Sequence, residues 1–180
     1  YEALYMNVPE SYRRGIELTV SSSPLSWFTV SANATFSQNK ILDYTEYVYN
    51  DDTYTTDAFY IGESTIAYSP SIIAGIALDF HTHGFSGVWR TQYVSKQYIT
   101  NGMNENLTID PYCVSSVDLS YKLALPKDKY IRFGVQINNL FNTMYEANAF
   151  AWSGIYSGVR YDEAYYLPQA GINALGNIRF

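Results

Sequence analysis

Apolar and polar residues alternate with a period of two along most of this chain, and that period narrows its possible folds more than any other feature. Residues 27–42 place Phe28, Val30, Ala32, Ala34 and Phe36 on one side and Thr29, Ser31, Asn33, Thr35 and Ser37 on the other. A helix would repeat every ~3.6 residues, so a sustained period of two specifies a strand with one apolar and one polar face. The same alternation marks residues 14–21, 71–80 (with Ile73 and Ala77 interrupting the polar side), 85–100 (with Val88 and Val94 as exceptions), 113–125 and 130–139. It returns in the closing stretch, where Ile172, Ala174, Gly176, Ile178 and Phe180 share a parity. Seven strands are expected.

Their connections fall into two classes. Short turns at Ser21, His81 and Pro126 alternate with long connections over residues 43–70, 101–112 and 142–166. Consecutive strands so joined run antiparallel, with short turns at one end and long loops at the other, the asymmetry of an outer-membrane barrel. Aromatics follow the same division. Phe28, Phe80, Phe85, Tyr121, Tyr130 and Phe180 sit beside the short turns, and Phe36, Tyr93, Tyr112, Phe141, Tyr145 and Tyr166 near the long loops. Rings gather at the headgroup level of a bilayer, so two bands suit a membrane wall. A β-sandwich core also alternates, so period alone leaves open which way the apolar faces point.

Composition excludes several classes. Charged residues are 16% of the chain, against about 25% in soluble domains. A net charge of -6 argues against nucleic-acid binding. The single Cys113 allows neither an internal disulfide nor a cysteine metal cluster. The longest uncharged apolar run, residues 69–78, falls short of the ~20 residues a membrane helix needs. Any contact with a bilayer is therefore expected through strands. No charged-then-apolar leader opens the chain, which makes Tyr1 a mature start or an interior boundary.

Three segments carry a family resemblance: Arg14-Gly15-Ile16-Glu17-Leu18, Ile137-Asn138-Asn139-Leu140-Phe141-Asn142-Thr143-Met144-Tyr145, and Tyr166-Leu167-Pro168-Gln169-Ala170-Gly171 through Phe180. In this order they resemble the carboxy-terminal barrel of TonB-dependent outer-membrane receptors. The resemblance implies an all-β fold, a transmembrane antiparallel up-and-down β-barrel. Residues 1–180 would be a fragment of about seven strands from a barrel of about 22, with the plug domain and the amino-terminal strands lying outside it. It implies a receptor of the bacterial outer membrane, not an enzyme, that imports a scarce nutrient: siderophore iron, haem, cobalamin, glycan or peptide. Its implied partners are outer-membrane lipid, the barrel-assembly machinery, the TonB energy-coupling complex (reached through the missing part) and possible surface lipoproteins. Ile178 and Phe180 match the two apolar positions of the family's assembly signal, whereas Gly176 departs from it by sharing the parity of Phe180.

No catalytic constellation and no cofactor motif is present, and the His81–His83 pair lacks an evident third metal ligand. The expected wet lumen takes Glu17, Arg90, Lys96, Asp118 and Arg132. Tyr and Trp give rigid contact area at low entropic cost, so ligand contacts are expected from the loops. The candidates are Tyr44, Tyr47, Asp51 and Asp52 in the first loop and Trp152, Tyr156, Arg160 and Tyr161 in the third. Two other architectures remain open on these residues. One is a complete eight-stranded outer-membrane barrel (an adhesin or anchor), with residues 1–9 as its eighth strand. The other is a soluble carbohydrate-binding β-sandwich.

Overall fold

The computed structural model describes Val8 and residues 10–180. The expected eighth strand over residues 1–9 lies outside the described residues, apart from Val8, which is not in a strand. The described residues form twelve strands and no helix: β1 (Glu10–Leu25), β2 (Phe28–Asn50), β3 (Thr55–Thr65), β4 (Ile72–Thr82), β5 (Phe85–Val94), β6 (Gln97–Tyr98), β7 (Thr108–Ile109), β8 (Tyr112–Ala124), β9 (Tyr130–Asn138), β10 (Glu146–Tyr156), β11 (Val159–Pro168) and β12 (Asn173–Arg179).

Seven of these strands make one antiparallel wall in the order β1-β2-β4-β5-β8-β9-β12. They are the seven expected from alternation, and the register shows why the period held. Val30, Leu78, Trp89, Val117, Ile137 and Ala174 stand side by side across six strands. The next row holds Phe28, Phe80, Gly87, Leu119, Val135 and Gly176. A slip of one residue in any strand would throw a polar side chain into these rows. On the opposite, concave face, Ser31, Asn33, Arg90, Gln92, Ser116 and Asn138 line a hollow of about 760 Å³. Asp118, Arg132, Gln136, Asn177 and Arg179 line a second hollow toward the short-turn end.

Among the described residues, no second layer covers the apolar face. Ile16 is 64% exposed and Val20 67%, and the buried apolar side chains (Ile41, Val48, Val94, Ile99, Leu107, Ile109, Ala149, Ile155) all lie at the long-loop end. A monomeric soluble protein rarely exposes a contiguous apolar patch beyond a few hundred Å². The described sheet is thus a single curled layer, which excludes the sandwich architecture. The short turns suit their strands: His83 and Gly84, and Lys127 and Asp128, have positive φ, the paired left-handed geometry whose twist matches that of a hairpin.

Four expectations need correction. The first strand, expected over residues 14–21, runs from Glu10 to Leu25. The three long connections are themselves β-structure: β2 runs on to Asn50 and folds back as β3, β6 and β7 pair in the second, and β10 and β11 form a hairpin in the third. Lys96 lies beyond the end of β5 and binds Glu105 at 2.7 Å, so it belongs to the second loop and not to the concave face. Tyr112 and Tyr145, ring centroids 4.6 Å apart, line the concave hollow and are not part of an outward band.

The three motif segments have structural work. A Cβ on Gly15 would stand 2.5 Å from the Phe36 carbonyl, so only glycine lets β1 lie this close to β2. Asn139 and Asn142 both adopt positive φ, which asparagine tolerates better than other non-glycine residues. The buried Asn139 amide donates to the carbonyls of Thr143 (2.9 Å) and Ala170 (3.0 Å) and accepts from the Thr143 amide at 2.8 Å. Asn142 Oδ1 accepts from the Ile172 amide at 2.9 Å and sits 2.6 Å from where a Cβ on Gly171 would be. The two segments therefore lock onto each other and aim β12 onto β9.

Candidate functional site

The β10–β11 hairpin leaves the wall between β9 and β12 and reaches the far end of β2, where Gly154 and Ile155 pair in parallel with Tyr49 and Asn50. β3 holds the other edge of β2 at Tyr49, so β10 takes the edge that β1 occupies lower down. One face of the hairpin packs down. Ala149, with Ala151 and Ala164 beside it, contacts Ile99, Leu107 and Ile109 of the β5–β8 connection. Tyr68 Oη donates to the Ala149 carbonyl at 2.5 Å, and Tyr166 Oη to the Thr108 carbonyl at 2.9 Å.

Arg160 is the electrostatic centre of that packed face. Its guanidinium lies 2.9 Å from Glu46 on β2 and 2.9 Å from Asp162 on its own strand, and over the Phe59 ring at 5.4 Å. Burial alone would lower the Arg160 pKa, but the hydrogen bonds to Glu46 and Asp162 outweigh it and raise it. Burial likewise pushes Asp162 up, and hydrogen bonds from Arg160 and Ser153 more than reverse this, leaving its carboxyl below the ordinary value. Glu46 is only 8% exposed; a Cβ on Gly102 would come 2.4 Å from its carboxylate, so glycine leaves room for the charge.

The tips of two hairpins are joined as well. Asp52 accepts from the Ser157 and Gly158 amides at 2.8 and 2.7 Å, and the Asp51 amide donates to the Ile155 carbonyl at 2.9 Å. Asp52→Ala should leave these turn amides to water and loosen the tips by about 1–2 kcal/mol. The check is amide exchange at Ser157 and Gly158, which should accelerate while the wall strands keep their protection.

The eight candidate ligand residues thus separate. Tyr47, Trp152, Tyr156 and Tyr161 are exposed on one face, with Tyr49, Phe150 and Tyr165 beside them. Tyr44 and Arg160 belong to the packed side: burial and the charge of Glu46 raise the Tyr44 pKa. Asp51 and Asp52 hold the tips together. Sequence reasoning missed Asp162 and Glu163, and the pairing of Glu46 with Arg160; Glu163 shares the parity of Tyr161 and Tyr165, a signal legible once residues 159–168 are read as a strand. Among the described residues no group of three His, Cys, Asp or Glu is placed to hold a metal ion.

Residues 2–140 match the family described as TonB dependent receptor-like, beta-barrel. The chain belongs to this family. No curated protein sequence matches it. Among solved structures it is similar to the crystal structure of the ferric-catecholate import receptor Fiu from E. coli K12 in its closed form, with a TM-score of 0.63 at 18% identity. That similarity covers 93% of this chain and 21% of the Fiu chain, so the chain spans about a fifth of that receptor's length. The TonB-dependent receptors are outer-membrane barrels that act in transport rather than catalysis. The curled, single-layer wall is a partial barrel of that kind, and the docked hairpins occupy its long-loop end.

Proposed function

We propose that the chain is the carboxy-terminal barrel segment of an outer-membrane receptor that imports a scarce nutrient with energy relayed by TonB. One observation carries this reading: six strands align apolar side chains on the uncovered face while the other face is predominantly polar and hollow. That is a wall made to separate lipid from water. The convex rows contact acyl chains, the concave rows line the lumen, and the three hairpins form the outward rim where the ligand is first met. Ile178, whose partner on β9 is Phe133, and Phe180 serve as the assembly signal. A plug supplied from elsewhere in the protein closes the lumen.

The similarity to a ferric-catecholate import receptor supports the import of a ligand, while the excess of acidic over basic side chains in the long loops disfavours an anionic one. The test is growth of a deletion strain on single limiting nutrients. One nutrient is expected to support growth only when the intact gene and a functional TonB complex are both present. Equal growth on every nutrient without the gene would refute the transport reading.

A further inference from the structure

The connections at the long-loop end (residues 40–70, 95–112 and 142–170) carry three basic side chains, Lys40, Lys96 and Arg160, against eleven acidic ones, a net of -8. The whole chain has a net charge of -6, so the negative charge is concentrated there. Each of the three bases is already held: Lys40 by Glu63 at 3.2 Å, Lys96 by Glu105 at 2.7 Å and Arg160 by Glu46 and Asp162. No cation of these segments is left to meet an anionic ligand.

The exposed face of β2, β10 and β11 combines this charge with aromatic rings. Trp152 lies flat along its own strand, over Gly154, where a Cβ would come 2.5 Å from the indole. Glu163 stands opposite Trp152 in the register and accepts from Tyr165 Oη at 2.5 Å. Phe150 and Tyr165 stack with centroids 5.0 Å apart, and Tyr161 and Tyr49 flank Gly154 on either side. A carboxylate is thus set among open ring faces. Aromatic faces attract guanidinium and ammonium groups through their quadrupoles, and a neighbouring carboxylate adds to that attraction. The opposite face of the same hairpin shows the effect within the chain, where Arg160 rests on Phe59 between two carboxylates.

We propose that this face binds a cationic peptide, its Arg or Lys side chains laid across Trp152, Tyr161 and Tyr165 and paired with Glu163. The inference deepens the receptor reading and rests on it. A neutral sugar would use the rings but gain nothing from the charge, and an anionic chelate would be repelled.

The experiment titrates the full-length receptor in detergent with hexa-arginine, hexaglutamate and a neutral maltose oligomer, at low and at physiological salt. Expected is binding of hexa-arginine alone, weakened by salt. Trp152→Ala and Glu163→Gln should each weaken it about three- to fivefold, the range for exposed cation–π and ion-pair contacts. Hexa-arginine binding indifferent to both variants would overturn the proposal. So would Trp152-dependent binding of the maltose oligomer or of hexaglutamate, an outcome that leaves ligand capture by the receptor intact. Shielding of Trp152 from acrylamide in the ligand-free receptor would also overturn it, by showing that other loops of the receptor cover the face. Failure of the transport reading is registered separately, by the growth of the deletion strain.

Discussion

Arg160→Ala is expected to release the β10–β11 hairpin from the rim while leaving the wall folded. The substitution removes the cation shared by Glu46 and Asp162 and leaves two carboxylates facing each other in a largely buried setting. Removing one partner of a fully buried pair costs about 3–5 kcal/mol; with the Arg160 side chain 27% exposed, about 2–3 kcal/mol is expected. Amide exchange in β10 and β11 should then accelerate by about 30- to 150-fold. Arg160→Lys should recover only part of this, because an ammonium cannot hold two carboxylates with the fixed fork of a guanidinium.

Acid should act in the same direction. The Asp162 carboxyl is held below its ordinary value by Arg160 and Ser153, against the effect of burial. Its contribution is therefore complete above the ordinary carboxylate range and is lost as pH falls through the depressed folded value. Hairpin protection should be flat near neutral pH and fall at strongly acidic pH, and the fall should be smaller in Asp162→Asn. Exchange rates unchanged by Arg160→Ala would mean that Ile99, Leu107 and Ile109 dock the hairpin without electrostatic help.

The second large effect concerns the wall. Ile76 lies midway along β4 on the convex face, between Ala32 and Thr91. Ile76→Arg should destabilise the full-length receptor in lipid vesicles by about 2–4 kcal/mol, the cost of a cation near the bilayer midplane. Gln92→Arg on the neighbouring strand turns into the polar hollow and should change stability by less than about 0.5 kcal/mol. Denaturant unfolding of the two variants measures the difference. Equal costs would mean that the two faces meet the same medium.

The wall was legible because one physical constraint acts on every residue of it. Each wall strand keeps one row of side chains apolar and the other predominantly polar, so parity repeats without interruption from Phe28 to Phe36 and from Val117 to Leu123. The rim strands were not legible because they answer to several constraints at once. β2 shifts register around Tyr44, with Asp43 at positive φ, so its parity changes sense where the rim begins. On β10, Ala149, Ala151 and Ser153 face protein where Phe150 and Trp152 are open, which inverts the usual pairing of large side chains with burial. Tyr112 could have been placed correctly, since it shares the parity of Val114, Ser116 and Asp118. Nearness to a loop end does not fix which way a side chain points; parity governs which medium it meets.

The most direct test places an environment-sensitive fluorophore on single cysteines, in a full-length receptor freed of its other cysteines (Cys113→Ser among them), at Ile76, Val135, Gln92 and Ser116. The receptor is then reconstituted with lipids brominated on their acyl chains. Strong quenching at positions 76 and 135, with little at 92 and 116, is the predicted result. Uniform quenching at all four, or quenching confined to 92 and 116, would contradict a wall whose convex face meets lipid.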